Sequence, residues 1–402
     1  MAIKGIANDL LDCVCGLERK FPPQSLFLSA SFLMFSHDFW TSPSCHVALN
    51  PRRPYDADGL LDYALQQGWS ARCFFQTSGS EGVPKWVSLS KEAFLISARA
   101  VNAHFKVNPA DRWLIALPLH HVGGFSIVAR AHLSGSSYVQ TTDKWHPQQF
   151  VDLCRSEEIT LVSLVPTQVH DLVMHKLPCP QKLRAAIIGG GALTKVLAKS
   201  AQALGWPVFQ SYGMTEAASQ IATQSFEFPL EDGLEIFPHW QVSADPSGHL
   251  VLSGPALADG YLRRNSEGAV SWLDIGKRLT TRDLVRLSQS GSRSLLHFVA
   301  RDSGVIKILG ELIYLAPLQD RLDQIVMEQG NPTNPVILAI PDARREMKLV
   351  LVYESGHPES WLEVYNQGLE SLSQITESRH VSVIPRTELG KVDYPALQLK
   401  LS

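Results

Sequence analysis

The chain has 402 residues, of which 45% are apolar and 19% charged, and its formal net charge is −3. These values are typical of a soluble enzyme with two or three domains, and no basic run indicates nucleic acid or an anionic membrane as a partner. The longest uncharged stretch, roughly residues 21–36, contains two prolines and is too short to span a membrane.

The N-terminus and the cysteines both favour a cytoplasmic protein. Acidic residues at positions 9, 12 and 18 argue against a secretory signal. The six cysteines, at positions 13, 15, 45, 73, 154 and 179, include no Cys-x-x-Cys pair. The simplest interpretation is a set of reduced thiols, with no zinc knuckle.

Between about residues 70 and 285, short β-rich runs alternate with helical patterns, which predicts α/β layers. We predict strands at Leu114–Leu117, Leu161–Val165, Ala185–Ile188, Val208–Phe209 and Leu250–Ser253. We predict helices at Lys91–His104, Pro147–Glu157, Gln168–Lys176 and Thr194–Leu204. Gly and Pro punctuate residues 245–275, which predicts a β-rich subdomain there.

A break near residues 300–304 precedes about 100 residues that predict a small α+β domain. We therefore expect a large domain over residues 1–300 and a small one over residues 303–402. The predicted elements of the small domain are a β-rich run at Val305–Leu315, helices at Pro317–Gln329 and Ser360–Leu372, and strands at Val336–Ile340, Lys348–Tyr353 and Val381–Ile384.

Residues 77–85, Thr-Ser-Gly-Ser-Glu-Gly-Val-Pro-Lys, follow the apolar run at 73–75 and suit a loop that wraps a polyphosphate. Gly79 and Gly82 allow backbone N–H groups to turn inward. Three hydroxyls and one amine could donate to phosphate oxygens: Thr77, Ser78, Ser80 and Lys85. Pro84 stands where a P-loop NTPase needs its second glycine, which disfavours that class. A Ser- and Gly-rich surface loop is the structural alternative.

The string Thr-Ser-Gly-Ser-x-Gly-x-Pro-Lys resembles the signature loop of the adenylate-forming enzymes, such as acyl- and aryl-CoA ligases, luciferases and peptide-synthetase adenylation domains. Glu81 departs from the small or hydroxyl residue usual there, and we expect it to point to solvent. The resemblance covers residues 70–395. It implies a large domain of layered α/β subdomains with a β-rich subdomain, followed by a small mobile C-terminal α+β domain. The segment before the loop is shorter than usual, so we expect part of the N-terminal subdomain to be missing.

Further motifs match this family in the same order. The glycine run after strand 185–188 would lie against adenine, although a tight turn explains it equally well in isolation: Gly189, Gly190 and Gly191. In the string Tyr212-Gly213-Met-Thr-Glu, the resemblance implies that Tyr212 stacks on adenine, Thr215 contacts the α-phosphate and Glu216 holds magnesium. Asp283 and Arg301 would contact the ribose hydroxyls.

The segment Pro385–Lys391 resembles the family's catalytic-lysine motif. Lys391 would reach between the acid's carboxylate and the α-phosphate and stabilise the transition state as a point charge. Without that context it would be interpreted as a solvated surface lysine. Asp302 falls at the family's hinge, and Gly310 would face the CoA tunnel in the second half-reaction.

The acid pocket is predicted from Pro118–Arg130, a loop that leads into an apolar helix. The resemblance places His121 at the border of the pocket, whereas His120 is expected to be structural. Arg130 is costly to bury alone, so it either pairs with an acid of this protein or binds a second carboxylate of the substrate. Ser163 and Thr167 are further candidate donors to that carboxylate.

These pocket residues, together with Arg282 before Asp283, resemble the o-succinylbenzoate–CoA ligases of menaquinone synthesis. The implied activity is an AMP-forming ligase that uses ATP, Mg²⁺ and coenzyme A with an aromatic dicarboxylate. Another aryl- or acyl-CoA ligase, or a ligase that loads a carrier protein, remains an alternative. A non-catalytic nucleotide-binding homologue is the alternative of a different class. No nucleic-acid or membrane partner is expected, and a homodimer is an open option.

Overall fold

A computed structural model describes residues 37–51, 57, 59–77, 85–141, 144–226, 233–265, 267–330, 334–342, 344–387 and 390–401. The chain divides into two units, residues 1–44 and residues 45–402. The described part of the first unit contains helix α1 (His37–Thr41), and every other element lies in the second. The predicted phosphate-binding residues Ser78, Gly79, Ser80 and Gly82, and also Glu81, lie outside the described residues.

The remaining helices and the strands follow in chain order. The helices are α2 (Leu60–Gln66), α3 (Lys91–His104), α4 (Val122–Ser134), α5 (Pro147–Ser156), α6 (Pro166–Met174), α7 (Lys195–Ala203), α8 (Leu315–Glu328), α9 (Pro358–Asn366) and α10 (Tyr394–Leu401). The strands are β1 (His46–Ala48), β2 (Arg72–Thr77), β3 (Lys85–Ser90), β4 (Arg112–Ile115), β5 (Ser137–Gln140), β6 (Leu161–Leu164), β7 (Ala185–Ile188), β8 (Val208–Met214), β9 (Ser219–Thr223), β10 (Leu234–Ile236), β11 (Gln241–Ala244), β12 (His249–Ser253), β13 (Gly260–Arg264), β14 (Val270–Asp274), β15 (Leu279–Ser290), β16 (Arg293–Arg301), β17 (Val305–Ile308), β18 (Glu311–Tyr314), β19 (Val336–Asp342), β20 (Glu346–Tyr353) and β21 (Glu377–His380).

Within the described residues, eleven strands form one sheet in the order β11-β12-β15-β16-β10-β9-β8-β7-β6-β4-β5. The half from β8 to β5 is parallel, and the half from β9 to β11 is antiparallel. Every residue of β6 and β7 is buried, as expected where helices cover both faces of a parallel sheet. The parallel half therefore carries the predicted α/β layers.

A second sheet packs strands in the order β1-β2-β3-β13-β14. Strand β3 starts at Lys85, the last residue of the predicted phosphate loop, and pairs with β13 through Arg263 and Lys85. This pairing brings the loop's end beside the β-rich region predicted at 245–275, which contains β12, β13 and β14.

Both ends of helix α3 were predicted correctly from the sequence. Its bounds are Lys91–His104, as the sequence pattern predicts, and the Ser90 hydroxyl accepts a hydrogen bond from the Ala93 N–H at 3.0 Å. Ser at the N-cap satisfies one of the free N–H groups that every helix start carries.

The described residues between 305 and 401 form the hairpin β17–β18, the sheet β19-β20-β21 and helices α8, α9 and α10. Helix α8 packs Leu322 against Leu351, Trp361 and Tyr365 in a buried apolar cluster. The domain boundary near Asp302 stays a prediction.

The predicted strand at Val381–Ile384 is wrong. The third strand is β21, Glu377–His380, which runs parallel to β20. Val381 and Ile384 are buried beside Leu397, so their apolar character reflects core packing of an irregular segment, while the pairing strand is polar. The helix predicted at Ser360–Leu372 also ends early, at Asn366, because Gly368 adopts a left-handed φ of +74° just beyond it.

None of the helices among the described residues combines the length and the hydropathy that a membrane span requires.

Candidate active site

The strand β8 ends in the Tyr212–Glu216 motif, and its geometry requires glycine at 213. A Cβ on Gly213 would lie 1.7 Å from the carbonyl oxygen of Ser219 in the adjacent strand β9. Thr215 and Glu216 then form a 3-10 turn that ends at Ala218 in the left-handed region. The close approach of β9 therefore fixes where Thr215 and Glu216 leave the sheet.

Three residues predicted to bind the nucleoside are neighbours. The Tyr212 hydroxyl donates to Asp283 Oδ2 at 2.7 Å, and Arg301 Nε lies 3.3 Å from Asp283 Oδ1. Asp283 and Arg301 are cross-strand partners in β15 and β16. Burial and the carboxylate of Asp283 together raise the pKa of Tyr212, so its hydroxyl stays protonated and continues to donate. Arg282, which precedes Asp283 in β15, is exposed to solvent.

The glycine run lies at the end of β7, close to the first turn of α6. Gly190 has a φ of +77°, and a Cβ on Gly191 would lie 3.4 Å from Pro166 Cγ. On the other side, a Cβ on Gly189 would lie 3.0 Å from Ser211 Oγ. Any side chain larger than glycine would fill this narrow space. With glycine at all three positions, the backbone beside strand β8 stays uncovered.

The C-terminal loop brings Lys391 to the same place. Its Cε would lie 3.8 Å from a Cβ on Gly190. Although the Lys391 side chain stays solvent-exposed, partial desolvation lowers the pKa of its amine; Arg301 lowers it further and Asp283 opposes the shift. The predicted catalytic lysine and the predicted ribose-binding pair are therefore electrostatic neighbours.

Thr167, which the sequence grouped with Arg130, instead meets this loop. A Cβ on Gly390 would lie only 2.2 Å from Thr167 Oγ1. The structure therefore places Thr167 at the contact between α6 and the loop that carries Lys391. No described contact joins Thr167 to Arg130.

A second cluster joins the end of the phosphate loop to Glu216. Lys85 Nζ lies 3.4 Å from Glu216 Oε1, and the same oxygen accepts a hydrogen bond from the Tyr261 hydroxyl at 3.0 Å. Lys85 Nζ also lies 3.7 Å from the centre of the Tyr261 ring. Thr77 is tied to the same strand pair, since its hydroxyl donates to the Lys85 carbonyl at 3.4 Å.

Arg130 lies in α4 with its guanidinium fully buried. Nη1 donates to Ser163 Oγ at 3.3 Å, and Nη2 donates to Gln220 Oε1 at 3.1 Å and to Ser219 Oγ at 3.5 Å. The guanidinium carbon lies 5.5 Å from the centre of the Trp113 ring. Burial lowers the pKa of Arg130 to about 9, which leaves it charged at neutral pH.

These contacts bear on the first of the two interpretations of Arg130, in which it pairs with an acid of this protein. Its hydrogen-bond acceptors are all neutral, and across the described ranges no carboxylate lies within ion-pair distance. Pairing with an acid of this protein is therefore not found in that part of the chain. His121 stands at the N-cap position of the same helix, nine residues before Arg130, and its ring centre lies 4.5 Å from that of His120.

The hinge and tunnel candidates lie outside this cluster. Asp302 accepts a hydrogen bond from His249 Nε2 at 2.8 Å, and Gly310 lies at the tip of the β17–β18 hairpin with a φ of +87°. A Cβ on Gly310 would meet no atom within 4 Å.

The comparisons with known proteins agree with this geometry. A family model described as AMP-binding enzyme matches residues 62–262, half of the chain. This chain belongs to the AMP-binding enzyme family. The predicted adenylate-forming resemblance and α/β fold class are thereby confirmed.

Within this family, curated relatives include the 2-succinylbenzoate–CoA ligase of Bacillus subtilis (strain 168), 31% identical over 262 residues that cover 61% of this chain and 52% of the relative. The ligase of the same name from Listeria monocytogenes serotype 4b is 27% identical over 350 residues, covering 84% of this chain and 71% of the relative. The chain spans about half the length of the first of these relatives.

Solved structures give the same family. The o-succinylbenzoate CoA synthetase from Bacillus subtilis in complex with its acyl-adenylate intermediate matches with a TM-score of 0.68 and 26% identity, covering 81% of this chain and 68% of that one. A second structure of that enzyme, which contains ATP and a magnesium ion, matches with the same TM-score at 25% identity and covers 81% of this chain and 69% of that one.

Sequence reasoning missed two residues of the candidate site, Gln220 and Tyr261. Each contacts a predicted site residue far away along the chain: Gln220 is 90 residues from Arg130, and Tyr261 is 45 from Glu216. The position of Gln220 five residues after the Tyr-Gly-x-Thr motif is the local signal that could have drawn attention to it.

Proposed function

We propose that this protein is an ATP-dependent, AMP-forming acid–CoA ligase whose acid substrate is o-succinylbenzoate. The observation that carries the proposal is the buried guanidinium of Arg130, which has only neutral acceptors among the described residues. A buried, unneutralised arginine is costly, and a carboxylate from the substrate would supply the missing partner. Of the two carboxylates of o-succinylbenzoate, one is adenylated and the other is available for Arg130.

The nucleotide would be held by the cluster at the ends of β8 and β15. Asp283 would accept from the ribose hydroxyls, with Arg301 beside it and Tyr212 against the adenine. Thr215 and the backbone of its turn would donate to the α-phosphate, and the glycine run would leave space for the adenine ring. All of these contacts mainly orient the substrate for attack.

Magnesium is compatible with the residues present. Glu216 supplies a carboxylate, and no group of three or more metal-binding side chains occurs among the residues that the structure describes. A single carboxylate suits Mg²⁺, which keeps several waters and takes most other ligands from phosphates. The ion would neutralise phosphate charge, while Tyr261 would hold one oxygen of Glu216 and leave the other available.

Lys391 would act in the first half-reaction. The acid's carboxylate attacks the α-phosphate, pyrophosphate leaves, and the lysine amine stabilises the negative charge that develops. Its position beside Gly190, Asp283 and Arg301 supports this role. In the second half-reaction, rotation about Asp302 would withdraw Lys391 and bring Gly310 towards the CoA thiol, which attacks the acyl-adenylate and releases AMP.

Two alternatives predict different behaviour. Another acyl- or aryl-CoA ligase, or one that loads a carrier protein, would keep the nucleotide cluster but would not require Arg130 for selectivity. A non-catalytic homologue would have no reason to retain Glu216, Asp283 and Lys391 together, and these residues argue against it. A cytoplasmic location belongs to the same proposal, since ATP and CoA are cytoplasmic co-substrates.

Replacing Arg130 tests the acid assignment. Arg130→Gln removes the charge and retains a polar side chain, although a shorter one. A charge-assisted hydrogen bond contributes about 1.5–3 kcal/mol, which corresponds to a loss of roughly 10- to 150-fold in kcat/KM with o-succinylbenzoate. The matched substrate is β-benzoylpropionate, which is o-succinylbenzoate without the ring carboxylate. Its kcat/KM should be unaffected, and an equal loss with both acids would contradict the assignment.

A further inference from the structure

The acceptors around Arg130 differ from those usual for a buried arginine. Buried arginines are normally paired with a carboxylate, because the desolvated charge is otherwise uncompensated. Here the shortest contact is to the amide oxygen of Gln220, at 3.1 Å, and the two serine hydroxyls are farther away. Of the five N–H donors of a guanidinium, these contacts use three within the described residues, and Nε is among those left over.

Gln220 is itself held rigidly. The residue is 4% exposed, its side-chain Nε2 donates to Thr223 Oγ1 at 3.0 Å, and its backbone carbonyl oxygen accepts from Trp240 Nε1 at 3.2 Å. The amide can have only one orientation, because a guanidinium has no acceptor and the oxygen must face it. The backbone of Gln220 pairs with Gly213 of the nucleotide motif.

We infer that Gln220 is a specificity-determining residue: it positions the guanidinium of Arg130 without neutralising it, so that the site selects acids with a second carboxylate. A glutamate here would have nearly the same shape but would form an internal ion pair. The substrate's carboxylate would then have to displace that pair. Gln220 is thus a positioning residue that acts through Arg130, and the inference rests on the proposed function.

This arrangement links selectivity to stability. Among the described residues of the ligand-free protein, only dipoles face the charge of Arg130, whereas a carboxylate at 220 would balance it directly. The Thr223 hydroxyl can reverse its role and donate to that carboxylate, so no buried polar atom would lose its partner. Glutamate at 220 should therefore raise the stability of the ligand-free protein while it impairs recognition of the dicarboxylate.

The test compares Gln220→Glu with Gln220→Leu, a neutral variant of similar volume, and with the unaltered chain. Each is measured by ATP–pyrophosphate exchange with o-succinylbenzoate and with β-benzoylpropionate, and by thermal unfolding without ligand. For Gln220→Glu we expect the KM for o-succinylbenzoate to rise on the order of 10- to 100-fold, with the KM for β-benzoylpropionate unchanged and a higher Tm. Gln220→Leu should have a lower Tm, because Arg130 loses its best acceptor.

Three results would overturn the inference. One is a KM for o-succinylbenzoate in Gln220→Glu that stays within twofold of the unaltered protein. Another is an equal rise in KM for both acids together with a lower Tm, which indicates a purely structural role. The third is no exchange by the unaltered protein with either acid, which removes the proposed function as well. The two failures are distinguishable: the first two results overturn the inference while the unaltered protein still exchanges with o-succinylbenzoate, whereas the third overturns the proposed function and the inference together.

Discussion

Gly390 brings the loop that carries Lys391 into close contact with α6. Its φ is +71°, and a Cβ there would lie 2.2 Å from Thr167 Oγ1 and 3.0 Å from Thr167 Cβ. Thr167 is β-branched and close to the backbone, so it has little freedom to turn away. An alanine at 390 would push the loop away from Thr167 by about 1 Å to restore van der Waals contact.

The expected cost of Gly390→Ala has two parts. The left-handed backbone conformation costs a non-glycine residue about 1–2 kcal/mol. A displacement of about 1 Å at a reacting group can lower the rate on the order of 100-fold. Because Lys391 is the next residue, we expect ATP–pyrophosphate exchange to fall by that factor. Thioester formation from supplied acyl-adenylate should change no more than a few-fold, since the proposed mechanism withdraws the loop for that step.

Gly368 provides the matched control. It has a similar φ of +74°, but a Cβ there would meet no atom within 4 Å. Gly368→Ala should therefore lose similar stability, about 1–2 kcal/mol, and keep normal exchange activity. Both variants are measured by thermal unfolding and by the two half-reactions separately. Equal losses of exchange in the two variants, or full exchange activity in Gly390→Ala, would refute the role assigned to this contact.

Two further predictions concern Lys391 and Asp323. Lys391→Ala should abolish most ATP–pyrophosphate exchange but spare thioester formation from supplied acyl-adenylate; equal loss in both steps would exclude the assigned role. Burial raises the pKa of Asp323 from 3.8 to about 6, so the folded protein binds this proton more tightly than the unfolded chain. Stability should therefore fall by roughly 2–3 kcal/mol as pH rises from 4 through 6, and Asp323→Asn should lack this slope in thermal unfolding and be the more stable protein above pH 6. An unchanged slope in the variant would contradict the shift.

Local signals were sufficient where the chain's own periodicity determines the element. Helix α3 has its Ser90 cap and its apolar spacing within one segment, and the all-apolar run 185–188 is the buried strand β7 of the parallel half. The prediction of a strand at Val381–Ile384 was wrong for the opposite reason. The polar residues of β21 pair with β20, while the apolar residues just after that strand fill a core without pairing, so composition indicated the wrong segment.

In the candidate site, too, local motifs predicted some residues, and contacts between distant segments account for the rest. The residues predicted to bind the nucleotide belong to strings such as Tyr212–Glu216, whose order resembles that of a known family. The structure brings Tyr212, Asp283, Arg301 and Lys391 together. Of the observed partners of Arg130, Ser163 was grouped with it from the sequence, whereas Ser219 and Gln220 could not be predicted, because they lie on strand β9, far from Arg130 along the chain. The sequence left open whether an acid of this protein or a substrate would pair with Arg130, and its contacts with Ser163 and Gln220 favour the substrate.

The most direct test of the proposed function is ATP–pyrophosphate exchange by the purified protein with o-succinylbenzoate, benzoate, succinate and a medium-chain fatty acid. We predict Mg²⁺-dependent exchange with o-succinylbenzoate alone, because only this acid combines an activatable carboxylate with a second one on an aromatic ring that can reach Arg130. Exchange with one of the other acids and not with o-succinylbenzoate would contradict the role assigned to Arg130. No exchange with any of the four acids would contradict the proposed ligase activity on o-succinylbenzoate.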